Sequence, residues 1–409
     1  MLSLRDPVHG FVRADPLEAA LVGSRAVQRL RGIKQLGMTY LVFPGAEHSR
    51  FGHALGTMHL AGRVYDALAA RPASPLDPHP RAVDRRRVRI AGLLHDIGHA
   101  PFSHSAEELF DRPIDHETMT RRLLEHPEIT TLLGEHGDGL DVASVARLLR
   151  GGEAPEERLL AQIISGELDC DKMDYLLRDS LFCGVAYGTY DLERLLDTIH
   201  PIEDPETGEW GIGVDEGGVH ALEALVMARY YMFTQVYFNV TGKVLELHLN
   251  AWLRDENLRW PSDPDRFLAV DDVETLARMR RSESRHARAV LHRDRFPLAY
   301  ETREHLSRDE KRAFEALLPK LEDTFGASEL LVSNSAKDPH RMGQSRVLVR
   351  RWNDSLEPME DASQFIRHLS RIDTYRIYAA PDIRNEVTAW LGRRWDEARR
   401  TERPVGQER

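Results

Sequence analysis

Along the first 250 positions the apolar residues recur mostly at helical spacing. In residues 17–37, LEAALVGSRAVQRLRGIKQLG, the residues Leu21, Val22, Ala26, Val27 and Leu30 share one helical face, and Gly37 ends the helix. YLVFPG is a short apolar run stopped by Pro44 and Gly45, and SRFGHALGTMHLAGRVYDALAA reads as a helix with His53 near its start. Residues 70–84, rich in Pro and Asp, form a loop before VRIAGLLHD, a buried helix. SAEELFD and HETMTRRLLEH continue the helical pattern, and GEHGDGLD is a loop. Residues 156–182 are helical, FCGVAYGTYD leads to the helix LERLLDTI, and residues 200–217 suit a hairpin or loop insertion. The longest helical pattern covers residues 218–254 and carries an aromatic run, Tyr230, Tyr231, Phe233, Tyr237 and Phe238, that suits core packing.

After residue 260 the texture changes. The charge-dense helical stretch VETLARMRRSESRHARAVL precedes apolar runs bounded by turn residues, ELLVS, RVLVRRW and YRIYAA, and then an amphipathic helix, EVTAWLGRR. The pattern predicts a mainly α protein with a small α+β C-terminal region, divided as residues 1–255 and 256–409.

Composition narrows this picture. The 409 residues are 42% hydrophobic and 30% charged, as in a folded globular protein, and no apolar stretch approaches the roughly 18 residues of a membrane helix. MLSLRDPVHG has no apolar signal region, so the expectation is a cytoplasmic protein with no membrane contact. Two cysteines, Cys170 and Cys183, are too few for a disulfide framework or a thiolate zinc site. A net charge of −11 argues against a protein that coats nucleic acid through general electrostatics. Nineteen histidines are many, and the first third holds His9, His48, His53, His59, His95, His99, His104 and His116.

The chemistry gathers at residues 95–104, HDIGHAPFSH. Neighbours on a helix diverge by about 100°, so His95 and Asp96 converge on one target only at a helix end or bend, which Gly98 and Pro101 supply. Three imidazoles and a carboxylate on an apolar lead-in point to a metal-assisted proton-transfer site. A hard divalent ion needs further oxygen and nitrogen donors from other helices. RFGHALG offers His53, and ELDCDKMDY offers Asp169, Asp171 and Asp174.

The ordered set H…HD…D, here His53, His95–Asp96 and Asp171, resembles the signature of the HD phosphohydrolase superfamily. The runs QRLRGIKQLGMTYLVFPGAEHSRFGHALG, HDIGHAPFSH and DCDKMDYLLRD further resemble the deoxynucleoside triphosphate triphosphohydrolases, over about residues 4–250. The resemblance implies an HD-domain helical phosphohydrolase core and one divalent metal, Mn, Fe, Ni, Zn or Mg, held by His53, His95, Asp96 and Asp171. It implies a dNTP substrate, which can bring additional Mg, and water attack at the α-phosphorus that releases deoxynucleoside and tripolyphosphate. His104 matches the proton donor to the 5′ oxygen and Glu107 its orienting carboxylate, while His99 and His116 match catalytic positions near the phosphates. Arg50, Lys172 and Arg229 match cations for the triphosphate, Arg229 by its spacing of eight residues to Tyr237. Gln35 and Asp179 match contacts to the sugar 3′-hydroxyl, and Tyr175 matches the residue whose packing excludes a 2′-hydroxyl. Tyr237 lines the same pocket, and Leu36 lies near the base.

Family members assemble, so a homo-oligomer, dimer or tetramer, is expected. A nucleotide effector is a further implied partner. Gln28 and Arg31 match a regulatory site, whereas Gly23 and Arg5 stand where a vertebrate member has Asp and Asn. Two other readings use the same residues. One is an HD-type phosphohydrolase or nuclease acting on nucleoside monophosphates or single-stranded nucleic acid, with the basic residues 278–295 holding the strand. The other is a non-catalytic nucleotide sensor.

Overall fold

The computed structural model describes residues 2–79, 81–103, 109–110, 114–137, 139–338 and 346–401. They divide into two compact units, each assembled from three stretches. The first comprises residues 1–232, 258–278 and 340–369, and the second residues 233–257, 279–339 and 370–409.

The first unit opens on an antiparallel hairpin, β1 (Leu2–Asp6) and β2 (Gly10–Ala14). The turn is fixed by Asp6, whose Oδ1 accepts from the amides of Val8 and His9, each at 2.9 Å. Helix α1 (Pro16–Gly23) starts in a capping box between Asp15 and Glu18, with Pro16 in its first turn. The single helix expected over residues 17–37 is two. Ser24 accepts from the Val27 amide and caps a new helix, α2 (Arg25–Arg29), which tightens into a 3₁₀ turn at Leu30–Gly32.

The centre of the unit is α3 (Arg50–Ala69), buried on most of its faces and packed along α4 (Val83–Leu94) and α9 (Cys170–Cys183). Between them in sequence lie α5 (His116–Leu124), α6 (Pro127–His136), α7 (Val142–Leu149) and α8 (Pro155–Ile164). The run 156–182 is therefore broken, because Asp169 accepts from the amides of Gly166 (2.9 Å) and Lys172 (2.7 Å) and starts α9 afresh. Helix α4 buries Val88, Ile90, Ala91, Leu93 and Leu94, and its two buried arginines are matched by carboxylates, Arg87 by Glu157 and Arg89 by Glu18.

After α10 (Leu192–Thr198) comes the expected hairpin, β3 (Ile199–Glu203) and β4 (Trp210–Asp215), then α11 (Val219–Met232). Strand Leu348–Arg350 pairs parallel with β4 and antiparallel with strand Leu356–Pro358. That pairing brings these two strands into the first unit. Residues 258–278 also join the first unit: the Trp260 amide donates to the Leu109 carbonyl, and Asp272 accepts from the amides of Lys34 (2.9 Å) and Phe102 (2.8 Å).

In the second unit, the long helix expected over 218–254 reaches only its latter half. A π-helical turn, Phe233–Tyr237, precedes a helix over Val240–Asp255 that Asn239 caps by accepting from the amides of Thr241 and Gly242. Strand Ile372–Ala379, buried throughout, is flanked by strands Leu298–Glu301 and Leu330–Lys337 in an antiparallel sheet. Its core includes Phe314, Leu321, Ile377, Val387, Leu391 and Trp395, so the apolar runs of the α+β region form strands and a helix as expected. In this unit two buried histidines meet: Nδ1 of His248 lies 2.8 Å from Nδ1 of His286, and His248 Nε2 accepts from the Phe296 amide at 3.1 Å. No helix among the described residues is long and apolar enough to cross a membrane.

Candidate metal centre

Helix α4 ends at Leu94, and His95 follows with helical dihedrals at the C-cap, so the His95–Asp96 pair sits at a helix end. Residues 95–98 then turn, and Gly98 passes so close to α5 that a Cβ would stand 2.3 Å from the His116 carbonyl oxygen and the Thr120 nitrogen. This turn, the first turn of α3 and the first turn of α9 deliver the expected donors to one place. His53 Nε2 lies 3.0 Å from Asp171 Oδ1, and His95 Nε2 lies 3.7 Å from the same oxygen. One donor atom each from His53, His95 and Asp171 all lie within 4.8 Å of one another. Asp96 joins them, with Oδ1 3.3 Å from His95 Nε2 and Oδ2 3.7 Å from His53 Nε2.

The far nitrogens of both imidazoles are pinned. Nδ1 of His95 donates to the Gly92 carbonyl at 2.8 Å, and Nδ1 of His53 pairs with Asp174 Oδ2 at 2.8 Å. Each pin leaves Nε2 facing the carboxylates, which is how metal-ligating histidines are oriented. Among the described residues the buried Nε2 of His95 makes no hydrogen bond. Two imidazoles and two carboxylates with outer partners in place fit a divalent ion.

The electrostatics agree. Burial pulls the His53 pKa down, but hydrogen bonds with Asp171 and Asp174 outweigh it and hold the ring up at about 10. For His95, burial is likewise outweighed, by Asp96 and then Asp171. Burial acts to raise Asp96, but His95, His99 and Arg50 keep it well below the usual carboxylate range. Asp171 is also low, burial being overcome by its hydrogen bond with His53 and by the nearby His95. Such a cluster draws positive charge, and a divalent cation answers the same field in competition with ring protons.

The remaining expected site residues fall in several places. Arg50 begins α3, ion-pairs with Asp96 and donates from Nε to Ser103 Oγ at 2.8 Å. His99 Nδ1 is 3.4 Å from Asp96 Oδ1, and its ring centroid is 4.4 Å from that of His116 at the head of α5. Lys172 ion-pairs with Asp169 and donates to the Gly166 carbonyl at 2.9 Å. Tyr175 is half-buried on α9; burial pushes its phenol up, against the nearby charges of Arg229 and Lys172. Asp179, one turn further on, and Arg229 on α11 are both buried. Gln35 is buried and Leu36 half-buried in the segment between α2 and α3. Tyr237 belongs to the second unit, in the π-helical turn, with its ring 5.2 Å from Phe233. His104 and Glu107 lie outside the described residues.

Four further groups support the centre. Asp174 is shared by His53, by His9 Nε2 at 2.6 Å and by both Nε and Nη2 of Arg178 at 2.8 Å, and Arg178 also reaches Asp6 at 2.9 Å. The i, i+4 spacing of Asp174 and Arg178 was a visible signal for that pair. His48 reaches Asp179, Arg29 donates to the His99 carbonyl at 2.9 Å, and Asp272 holds the Phe102 amide. No local pattern joins those three to the site.

A histidine–aspartate centre gathered by three helices places the protein in the class of helical metal-site proteins built on paired His and Asp ligands. The HD domain family matches residues 50–179, from Arg50 to Asp179, and the HD associated region matches residues 190–391. The crystal structure of a hypothetical protein from Aquifex aeolicus superposes with a TM-score of 0.81 at 32% identity, over 95% of this chain and 99% of that one. The chain belongs to the HD-domain proteins that carry an HD-associated region. It is 39% identical over 277 residues to YwfO, an uncharacterized protein of Bacillus subtilis, covering 65% of this chain and 60% of that one. It is 31% identical over 284 residues to a Dictyostelium discoideum protein named deoxynucleoside triphosphate triphosphohydrolase SAMHD1 homolog, covering 66% of this chain and 50% of that one. The chain thus spans about half to three fifths of the length of these two curated relatives.

Proposed function

We propose that the protein is a divalent-metal-dependent phosphohydrolase that cleaves dNTPs to a deoxynucleoside and tripolyphosphate. The observation that carries the metal-dependent part is the convergence of His53, His95, Asp96 and Asp171 with both imidazole Nδ1 atoms pinned. The dNTP part is supported by the family motifs in the sequence and by the name of the Dictyostelium relative.

The chemistry a divalent ion supplies when held by these four residues is activation of a water nucleophile and neutralisation of phosphate charge. Arg50, Lys172 and Arg229 supply cations for a triphosphate, and burial strengthens their attraction. His99 and His116, ring to ring at 4.4 Å, act on the phosphates from the side of Asp96. His104, oriented by Glu107, gives a proton to the 5′ oxygen as the phosphorus–oxygen bond breaks. Gln35 and Asp179 hold the 3′-hydroxyl. Tyr175 packs on the sugar edge against a 2′-hydroxyl, and Leu36 makes a base contact that suits several bases. A homo-oligomer and a nucleotide effector belong to the same reading, and light scattering with and without nucleotides checks both.

The test is to incubate metal-loaded protein with each dNTP in ¹⁸O-labelled water and resolve the products. Deoxynucleoside with label in tripolyphosphate is expected. Pyrophosphate or orthophosphate as the first product overturns the reading, as does no turnover with any single or mixed dNTP. Asp96→Asn should abolish turnover together with metal binding.

A further inference from the structure

We propose that His48 is a positioning residue for the sugar site, aligning Asp179 with its side chain and Gln35 with its backbone so that a 3′-hydroxyl is read by both. The inference rests on the proposed roles of Asp179 and Gln35.

His48 closes the turn before α3, and its side chain reaches across to α9. Its Nε2 stands 2.8 Å from Asp179 Oδ1, with both side chains buried. A carboxylate oxygen accepts this hydrogen bond, so Nε2 is its donor. The imidazole also lies flat on Phe182, with ring centroids 4.5 Å apart and planes at 14°. Asp179 and Phe182 are three residues apart on α9 and so share a face, and the His48 ring covers both. The loop approaches α9 closely at Gly45, where a Cβ would stand 2.4 Å from the Phe182 carbonyl oxygen. Only glycine lets the backbone come that near.

The other half of the arrangement is the His48 carbonyl, which accepts from the Gln35 amide at 3.0 Å. Residue 48 is thus joined by its backbone to one proposed sugar contact and by its ring to the other, 131 positions away in sequence. Among the described residues, Gln35 Oε1 and His48 Nδ1 are buried and make no hydrogen bond. Acceptors left unsatisfied in a buried setting are costly, and a ligand hydroxyl beside them removes part of that cost. The stack on Phe182 fixes the plane of the His48 ring, and the hydrogen bond from that ring helps to set the orientation of Asp179.

The test compares the wild type, His48→Phe and His48→Gln on a dNTP and its 2′,3′-dideoxy analogue. Steady-state kinetics of the metal-loaded protein and calorimetric affinities for the matching nucleosides are both measured. Phenylalanine keeps the stack on Phe182 and removes the donor, whereas glutamine places an N–H near the position of Nε2. The wild type should prefer the 3′-hydroxyl, and His48→Phe should lower kcat/KM for the dNTP about 10- to 100-fold, mainly through KM. The same change should alter kcat/KM for the dideoxy analogue only severalfold, and His48→Gln should restore most of the preference. Equal losses on both substrates, an unchanged 3′ preference in His48→Phe, or a wild type without that preference each overturn the inference. If the wild type hydrolyses no dNTP yet binds nucleosides with a 3′ preference that His48→Phe erases, the proposed activity fails and the role of His48 stands. If it hydrolyses dNTPs with no such preference, the activity stands and the role of His48 falls.

Discussion

Asp174 shows how much of the centre depends on one side chain that is not a ligand. It is fully buried, and burial acts to raise its pKa, but the Arg178 charge and the hydrogen bonds from Arg178, His53 and His9 hold it well below the ordinary range. It therefore stays ionised and presents a fixed acceptor to His53 Nδ1. Asp174→Asn should weaken metal binding about 10- to 100-fold, as removal of outer partners of metal-bound histidines does. It should also destabilise the fold by roughly 3–5 kcal/mol, because Arg178 loses one of its two carboxylates. Metal titration by calorimetry and denaturant unfolding of the ion-free protein read the two effects separately. Unchanged metal affinity would show that Asp174 does not orient His53. The sequence displayed Asp169, Asp171 and Asp174 without distinguishing them, and the structure gives each a different task. Asp169 caps α9, Asp171 faces Nε2 of His53, and Asp174, nearly one turn on, takes Nδ1 of the same ring. His53, His95 and Asp96 were legible because their types and order carry the chemistry. The division of labour among neighbouring aspartates depends on where a facing helix puts one imidazole, and nothing local encodes that.

At the scale of elements, the turn after α4 does more than end a helix. Phe102 and Ser103 both take left-handed dihedrals, with φ of 61° and 59°, which cost roughly 1–3 kcal/mol each in a non-glycine residue unless surroundings enforce them. The surroundings are specific: Asp272 accepts from the Phe102 amide, and Ser103 Oγ donates to the Lys34 carbonyl at 2.9 Å and accepts from Arg50. Because the second oxygen of Asp272 accepts from the Lys34 amide, one carboxylate ties the turn to the segment carrying Gln35. An asparagine offers one acceptor in place of two, so Asp272→Asn leaves a buried amide unpaired at a cost of about 1–3 kcal/mol. Denaturant midpoints should fall accordingly, and hydrogen exchange should quicken at Phe102 or Lys34. Protection unchanged at both amides would show that the turn is held by its other contacts. Gly98 and Pro101 made the turn readable in the sequence. Asp272 did not, since 170 residues separate it from Phe102 and it sits in a charge-dense stretch that resembles a solvated helix. Ser24, Asp169 and Asn239 were missed for a related reason: a capping residue inside a continuous apolar rhythm breaks the helix without breaking the rhythm.

For the whole molecule, the interleaving of two units turns on contacts with little sequence signal, such as the pairing of Val349 with Val214 and of Arg350 with Asp215. The two units also differ in what their folds respond to. In the first, His53 of α3, His95 and Asp96 at the end of α4 and Asp171 of α9 would hold a divalent ion, and binding to the folded state alone would add about 2.7 kcal/mol of stability at 100 times its Kd. In the second, burial first, then the charges of His286 and Arg285, depress His248 to about 3, and His286 is lowered as well. The His248 pair works only when neutral: Nε2 accepts from Phe296, so Nδ1 must donate to His286. A folded pKa below the unfolded value of about 6.5 means that this stability is complete above that pH and is lost as pH falls toward 3. By pH 5 the loss from His248 alone is about 2 kcal/mol. Hydrogen exchange by mass spectrometry, with and without chelator at neutral pH and with chelator at pH 5, separates the two responses. Chelator should deprotect peptides of α3 and α9, and the acid step should deprotect peptides covering 240–255 and 285–291. His248→Gln, whose amide oxygen still accepts from Phe296 but does not titrate, should flatten the acid response of those peptides. If chelator loosens 240–255 as strongly as α3, or the glutamine variant keeps the full acid response, ion and imidazole pair are not the separate controls their positions imply.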